Sequence, residues 1–170
     1  LIFFSNSFYS QTLSYFKTYK DIAPDNWYMH YPYIDTLNEN SYIHSGSLQN
    51  SDISSSDTLT NSPSFFSKNS LDGNVQWART YRANIAMTSF KSFCILNNKE
   101  IIACGSMGDL YDSNLSRGLL MKLDTIGNVM WSNQIPRLEF NSVTPIANNS
   151  FVFVAMDSVY PYWTNIIGKV

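Results

Sequence analysis

The sequence predicts an all-β fold in which small antiparallel sheets are repeated along the chain, and three observations support this. The phrase Leu37-Asn38-x-x-x-Tyr42-Ile43-x-Ser45-Gly46-Ser47 returns as Leu96-Asn97-x-x-x-Ile101-Ile102-x-Cys104-Gly105-Ser106, and more weakly as Ala147-Asn148-x-x-x-Val152-Phe153-x-Ala155. A second phrase, Gly73-Asn74-Val75-x-Trp77, returns 54 residues later as Gly127-Asn128-Val129-x-Trp131. Aromatic residues make up 15% of the chain, which favours strands, and no apolar pattern keeps a helical spacing. A fixed period of about 50–60 residues is typical of a repeat protein.

Each repeat contains four strand signals, which we name a, b, c and d. In the second repeat, strand a is Phe90–Leu96, and strand b is Glu100–Gly105, a short apolar run of the buried kind. The Asn97-Asn98-Lys99 segment between them favours a tight turn, because asparagine tolerates the left-handed conformation. Strand c is Gly118–Leu123, and a turn leads from it to strand d at Asn128–Ile135.

The other repeats follow the same order. The first predicts four strands, at Pro32–Leu37, Ser41–Gly46, Ser64–Asn69 and Asn74–Tyr81. The third predicts strands a, b and c, at Asn141–Ala147, Ser150–Ala155 and Thr164–Val170. A leading strand over residues 15–20 precedes them all, because Tyr15-Phe16-Lys17-Thr18-Tyr19 matches Trp77-Ala78-Arg79-Thr80-Tyr81 of the first strand d.

A series of four-stranded meanders is typical of a β-propeller, in which each sheet is a blade that buries its faces against its neighbours. The predicted blades are residues 32–81, 90–135 and, incomplete, 141–170, so that residues 11–170 form a partial propeller. Propellers typically need 4–8 blades to close their ring. Since the chain also begins at Leu1 rather than at a methionine, we expect it to be a fragment, truncated before ring closure.

Residues 1–10 have the pattern of a signal-peptide remnant. An apolar stretch, Leu1-Ile2-Phe3-Phe4, is followed by small and polar residues, with cleavage predicted after Ser10. An ordinary first strand is the alternative interpretation of this segment. The signal-peptide interpretation predicts a protein that is secreted or exposed on the outer cell surface.

The phrase Lys122-Leu123-Asp124-Thr125-Ile126-Gly127-Asn128-Val129-Met130-Trp131 resembles the blade signature of secreted Bacteroidetes repeat proteins. The resemblance covers roughly residues 15–170 and implies further blades and a C-terminal sorting domain for type IX secretion. The same phrase is similar to the tryptophan-docking motif of quinoprotein (PQQ-like) propellers, in which a tryptophan staples neighbouring blades. Gly127 and Trp131 keep the spacing of that motif, whereas Ile126 replaces its threonine. No cofactor is predicted, because the quinone-binding residues of that family have no counterpart that can be placed here.

The repeated glycines and tryptophans are interpreted as structural residues: Gly46, Gly73, Gly105, Gly127, Trp77 and Trp131. A tryptophan on strand d can cover apolar area between sheets, and its indole N–H can bond a neighbouring loop carbonyl. Stacking of a ligand on these rings is the alternative.

Cys94 and Cys104 flank the a–b turn of the second repeat. If the hairpin register places them directly opposite each other, they could be bridged by a disulfide. A shift of one pair separates them, and two small buried hydrophobic side chains are the favoured interpretation.

Composition and motifs exclude several classes of function. The net charge of −2 provides no field that would attract nucleic acid or an anionic membrane. No stretch is apolar enough for a transmembrane segment, and no spacing matches a metal site, a phosphate loop or a nucleophile elbow. His44 in strand b is interpreted as a satisfied or surface residue. We therefore predict a protein that is not an enzyme.

Propeller geometry places the d–a and b–c connections on one rim, where loops on a rigid scaffold usually bind ligands. Two of these connections carry the candidate binding residues, Trp27, Tyr28, Tyr160, Tyr162 and Trp163. Flat rings with polar edges suit a glycan or a peptide, and covering of the blade edges is the alternative. A third connection holds Asp109, Asp112 and Asn114, whose oxygens could serve calcium but lack the EF-hand spacing, so no metal site is predicted.

The sequence thus predicts a secreted or surface-exposed propeller that acts as a non-enzymatic binding or adhesion scaffold for a glycan or protein ligand. One alternative is an enzyme of the quinoprotein or glycan-lyase kind that uses the funnel of a complete ring. Another is a structural module whose blades only space other domains.

Overall fold

A computed structural model describes residues 27–38, 40–50, 63–81, 87–108, 117–157 and 164–170. All regular secondary structure in these ranges is β-strand. The strands are β1 (Trp27–Asn38), β2 (Ser41–Asn50), β3 (Ser64–Ser70), β4 (Val75–Tyr81), β5 (Met87–Ile95), β6 (Ile101–Gly108), β7 (Arg117–Leu123), β8 (Val129–Pro136), β9 (Leu138–Ile146), β10 (Ser150–Asp157) and β11 (Thr164–Lys169).

The strands form three antiparallel sheets that follow one another along the chain. The first sheet has the order β1-β2-β3-β4, the second β5-β6-β7-β8, and the third β9-β10-β11. Every hydrogen-bonded neighbour is also the neighbour in sequence, which is the topology of a meander. The predicted fold class is therefore confirmed: the described chain is an all-β partial propeller of consecutive antiparallel blades. The predicted signal-peptide remnant and the leading strand over residues 15–20 lie outside the described residues.

Several strands extend beyond their predicted ends. β2 and β6 continue past Gly46 and Gly105, the predicted ends of strand b in the first and second repeats. Gly105 instead pairs with Phe90 on one side and Leu119 on the other. A Cβ atom at Gly105 would lie 1.9 Å from the carbonyl oxygen of Ser89, so the close approach of the two backbones requires glycine here.

The second sheet is buried on both faces. Ile101 and Ala103 of β6 belong to a cluster that joins the first and second sheets and includes Phe66. Ile102 and Cys104 belong to a second cluster, which joins the second and third sheets. Successive residues of a strand point to opposite faces, so that one short run, Ile101–Cys104, contributes to both interfaces.

The third copy of the repeat is shifted by one residue from its sequence alignment. Sequence matching places Val152 against Ile101, but Phe151 holds the equivalent position. Phe151 faces the preceding sheet in the second cluster, as Ile101 does in the first. The shift is uniform over the a–b hairpin: the pairing of Phe90 with Gly105 and of Ile95 with Ile101 recurs 50 residues later as Phe140 with Ala155 and Pro145 with Phe151.

The outer face of the third sheet differs from the corresponding face of the second. Ile167 pairs with Val154 as Leu120 pairs with Cys104, so Ile167 and Leu120 hold equivalent positions. Leu120 is only 4% exposed under the third sheet, whereas Ile167 is 78% exposed. Leu120 is thus buried because the third sheet packs on it, and not because of its position in its own strand.

The two cysteines are not opposite each other. Cys94 pairs with Ile102, and Cys104 pairs with Ser92, which is the register that excludes a bridge. Both thiols are free and buried, so the disulfide alternative is wrong and the favoured interpretation is confirmed. Burial raises the pKa of each thiol to about 12, which leaves both protonated and unreactive near neutral pH.

His44 of β2 is buried rather than at the surface. Its ring lies edge-on to Phe65, with 5.2 Å between the ring centroids. Burial lowers the pKa of His44 from 6.5 to about 4, because the charged imidazolium would lose its hydration. His44 is therefore neutral in the folded protein at pH 7.

This burial predicts that stability falls as the pH is lowered through the range between 6.5 and about 4. In that window the unfolded state binds a proton on the histidine that the folded state does not, so acid favours unfolding. We expect a loss of about 2 kcal/mol between pH 7 and pH 5, measured by urea denaturation. His44→Gln should remove most of this slope, and His30→Gln should retain it. An unchanged slope in His44→Gln would contradict the assignment.

Candidate functional site

Strand β4 of the first sheet binds the c–d turn of the second sheet through three side chains, which we call the docking triad: Trp77, Arg79 and Tyr81. They donate in this order to the main-chain carbonyl oxygens of Thr125, Ile126 and Gly127. The distances are 3.3 Å from the indole Nε1, 2.8 Å from the guanidinium Nε and 2.7 Å from the tyrosine hydroxyl. Because alternate residues of a strand point to one face, three donors reach three consecutive carbonyl groups.

The turn that receives the docking triad is held by Asp124. Its carboxylate accepts hydrogen bonds from the main-chain N–H of Ile126 at 2.9 Å and from that of Asn128 at 2.8 Å. Gly127 has a φ of +81°, and a Cβ atom there would lie 2.8 Å from the Trp77 ring. The repeated glycine is thus required both by the backbone conformation and by the tryptophan that packs on it.

A second set of polar contacts joins the second and third sheets. Lys91 forms an ion pair with Glu139, and its Nζ also lies 3.3 Å from the Asn141 side-chain oxygen. Glu100 pairs with Lys122 at 2.5 Å within the second sheet. Glu139 thus links the third sheet to the second, whereas Glu100 pairs with strand β7 of its own sheet.

A cleft of about 340 Å³ lies between β4 of the first sheet and β8 of the second, beside the docking triad. Its floor is apolar and includes Leu119 and Met121, and its walls carry the uncharged polar side chains of Thr80, Ser132 and Gln134. Among the described residues that line it, none is charged. The cleft is open to solvent, and its volume lies at the lower end of the range of small-ligand sites, about 300–1,000 Å³.

The cleft extends to the end of the sheets at which the predicted binding rim lies. Tyr81 ends β4, Thr88 is near the start of β5, and Met107 is near the end of β6; all three line the cleft. These strand ends flank the d–a and b–c connections. The sequence predicted the rim from the topology, but it did not identify the cleft.

The aromatic residues predicted for binding are only partly within the described chain. Trp27 and Tyr28 lie in strand β1, where they pair with Asn50 and Gln49, and not in a rim loop as predicted. The predicted loop placement was wrong because β1 begins before Pro32, which was taken as its start. The side chains of both residues lie outside the described part, so their role in binding stays a prediction. The other predicted residues also lie outside it: Tyr160, Tyr162, Trp163, Asp109, Asp112 and Asn114.

Trp131, the second repeated tryptophan, is half-buried and packs against the cluster between the second and third sheets. Trp77 packs in the same way against the cluster between the first and second sheets. Both rings therefore cover apolar area between blades. Sequence analysis missed Arg79 and Tyr81 as partners of Trp77, although their match to Lys17 and Tyr19 carried the signal.

Within the six described ranges, no group of three or more His, Cys, Asp or Glu side chains is placed to hold a metal ion. Nor do these ranges contain a helix with the length and hydropathy needed to cross a bilayer.

The sheets, the docking triad and the cleft define the class of this chain as an all-β repeat protein with propeller-like blades. No family model matches the chain, and no curated protein matches it.

Proposed function

We propose that this chain belongs to a non-enzymatic propeller that acts as a binding or adhesion scaffold for a glycan or protein ligand. The observation that carries the proposal is the cleft between the first and second sheets, whose described lining is uncharged and which extends to the loop end of the scaffold. Rigid strands with loops at one end are a common arrangement for recognition.

The lining of the cleft favours a neutral ligand with one apolar face. Val129, which is 50% exposed, offers apolar area, whereas Thr80, Ser132 and Gln134 offer hydroxyl and amide groups. A sugar ring and an uncharged peptide side chain both combine such faces. A charged ligand would find no counter-ion among the described lining residues, and without one its desolvation would be unfavourable.

The proposed location is outside the cell or on its outer surface. It is supported by the apolar stretch Leu1–Phe4 before small polar residues and by the resemblance of Lys122–Trp131 to secreted Bacteroidetes repeat proteins. On this proposal, the aromatic residues Trp27 and Trp163 would add stacking area near the same rim.

Binding arrays test the proposal. The wild-type chain should bind members of a neutral glycan array or of an uncharged peptide array. Ser132→Trp, which places a large ring in the cleft, should weaken that binding at least about tenfold, an effect of about 1.4 kcal/mol. Asn133→Trp is the matched control, because this exposed neighbour on β8 points to the other face of the strand.

Two further variants examine the predicted rim residues. Trp27→Ala and Trp163→Ala should each weaken binding if their rings contact the ligand. Equal loss in Ser132→Trp and Asn133→Trp would contradict a site in the cleft. No binding of the wild-type chain on either array would contradict the binding function and leave only the structural spacer.

A further inference from the structure

The c–d turn of the first sheet, Ser70–Asn74, has the same backbone geometry as the turn that receives the docking triad. Gly73 has a φ of +86° and Gly127 a φ of +81°. The N–H of Gly73 donates to the Ser70 carbonyl at 2.9 Å, as that of Gly127 donates to the Asp124 carbonyl at 3.1 Å. Both glycines are buried. The first sheet therefore presents a second turn of the kind to which a strand d binds.

The docking triad defines what such a turn binds. It takes a strand with an aromatic donor, a cation and a second aromatic donor at alternate positions, each directed at one carbonyl oxygen. Strand β8 does not repeat this set, because Trp131 is followed at the alternate positions by Asn133 and Ile135. The pattern is thus more selective than the general likeness between the repeats.

The pattern occurs once more, at the beginning of the chain. Tyr15, Lys17 and Tyr19 correspond to Trp77, Arg79 and Tyr81, with the same spacing and with a hydrogen-bond donor at each position. This segment precedes the first sheet as β4 precedes the second. Its order in the chain therefore matches the role of a strand that docks on the following sheet.

Charge complementarity adds to the match. The turn residue that accepts from Arg79 in the second sheet is Ile126, and the equivalent residue of the first sheet is Asp72. The Asp72 carboxylate is held in the turn by the Ser70 hydroxyl and by the Asn74 side-chain amide at 2.6 Å. An ammonium group that reaches the Asp72 carbonyl would also lie close to this carboxylate.

We propose that residues 15–19 of this chain bind the Ser70–Asn74 turn of the first sheet. Tyr15 packs on Gly73 and donates to the Leu71 carbonyl, Lys17 donates to Asp72, and Tyr19 donates to the Gly73 carbonyl. The bound strand lies on the face of the first sheet that carries Tyr42 and Phe65, the residues equivalent to Ile101 and Leu119. Both are buried, and neither belongs to the two clusters between the sheets.

Zero-length crosslinking of the unmodified full chain tests the proposal. A carbodiimide activates a carboxylate, and a lysine amine in direct contact then displaces the activating group to form an amide. Mass spectrometry of the digest should detect a Lys17–Asp72 amide. The Lys122–Glu100 pair, 2.5 Å apart, serves as the internal positive control. Lys20, outside the alternating pattern, should give no amide with Asp72.

The variants and the labelling decide between the outcomes. Asp72→Asn should abolish the Lys17 product and leave the Lys122–Glu100 product unchanged. A mixture of ¹⁴N- and ¹⁵N-labelled chains should yield only unmixed Lys17–Asp72 products. Mixed products would overturn the proposal in favour of docking onto a second copy. A Lys122–Glu100 product without a Lys17–Asp72 product would overturn it outright.

Discussion

Replacement of Phe66 by alanine is expected to lower the free energy of unfolding by about 4 kcal/mol. Phe66 of β3 is fully buried between the first and second sheets. Its ring centroid lies 4.9 Å from that of Phe90, 5.3 Å from that of Phe93 and 5.9 Å from that of Tyr81. Truncation removes these aromatic contacts and leaves a cavity lined by the remaining rings, which the surrounding strands can fill only in part.

Urea denaturation at pH 7 measures this effect. Phe153→Ala is a useful comparison, because Phe153 is only half-buried and, among the described residues, has one aromatic neighbour, Phe140, at 5.1 Å between centroids. We expect its loss to be about half as large, near 2 kcal/mol. A loss below about 1 kcal/mol for Phe66→Ala would show that the first and second sheets do not share this core.

Trp77→Ala is expected to lower the free energy of unfolding by about 3 kcal/mol. The half-buried indole packs on Gly127 of the next sheet and donates to the Thr125 carbonyl, so truncation removes both apolar contact and a hydrogen bond. Trp77→Phe keeps most of the ring area and should lose only about 1 kcal/mol, the net value of one hydrogen bond.

The same denaturation experiment distinguishes docking from a general effect of strand substitutions. Met130→Ala is the matched control, because Met130 lies on the outer strand β8 and is 52% exposed. It should change the free energy of unfolding by less than about 0.5 kcal/mol. Similar losses for Trp77→Ala and Met130→Ala would contradict the role of the indole in joining the blades.

Most of the fold could be predicted from local pattern. Repeated phrases located every described strand, and the short turns between them implied that sequence neighbours also pair. The strand ends were less predictable. Gly105 was the predicted end of strand b, yet it lies inside β6, where the close approach of Ser89 requires glycine. Whether a glycine ends a strand or lies inside it depends on the neighbouring strand and not on the glycine itself.

Register was beyond the reach of the sequence for a similar reason. Cys94 and Cys104 could be placed opposite each other or one pair apart, and both registers satisfy the same alternation of side chains. The structure shows a β-bulge between Phe90 and Ser92 in the β5–β6 pairing, and it pairs Cys104 with Ser92 rather than with Cys94. In the third sheet, the strand pairing made Phe151 the equivalent of Ile101 although the residue types matched better one position later.

Of the contacts that form the candidate site, the sequence predicted only that of the repeated tryptophan. The repeated tryptophan and the possibility of a carbonyl partner followed from the sequence, because an indole between sheets needs an acceptor. The identity of the partner, Thr125, and the contribution of Arg79 and Tyr81 depend on how two sheets are placed relative to each other. The cleft is likewise formed by residues from two sheets that no single motif connects.

The burial of the second sheet on both faces has a consequence for cooperativity. Melting of that sheet alone would expose two interfaces to water, whereas melting of the third sheet exposes one, so the two sheets differ in their local opening free energies. Amide protons of β6 should thus exchange only in openings close to global unfolding, and those of β11 in smaller fluctuations. A destabilising substitution in the third sheet should therefore have a local effect, whereas one in the second sheet should also weaken its packing against both neighbouring sheets.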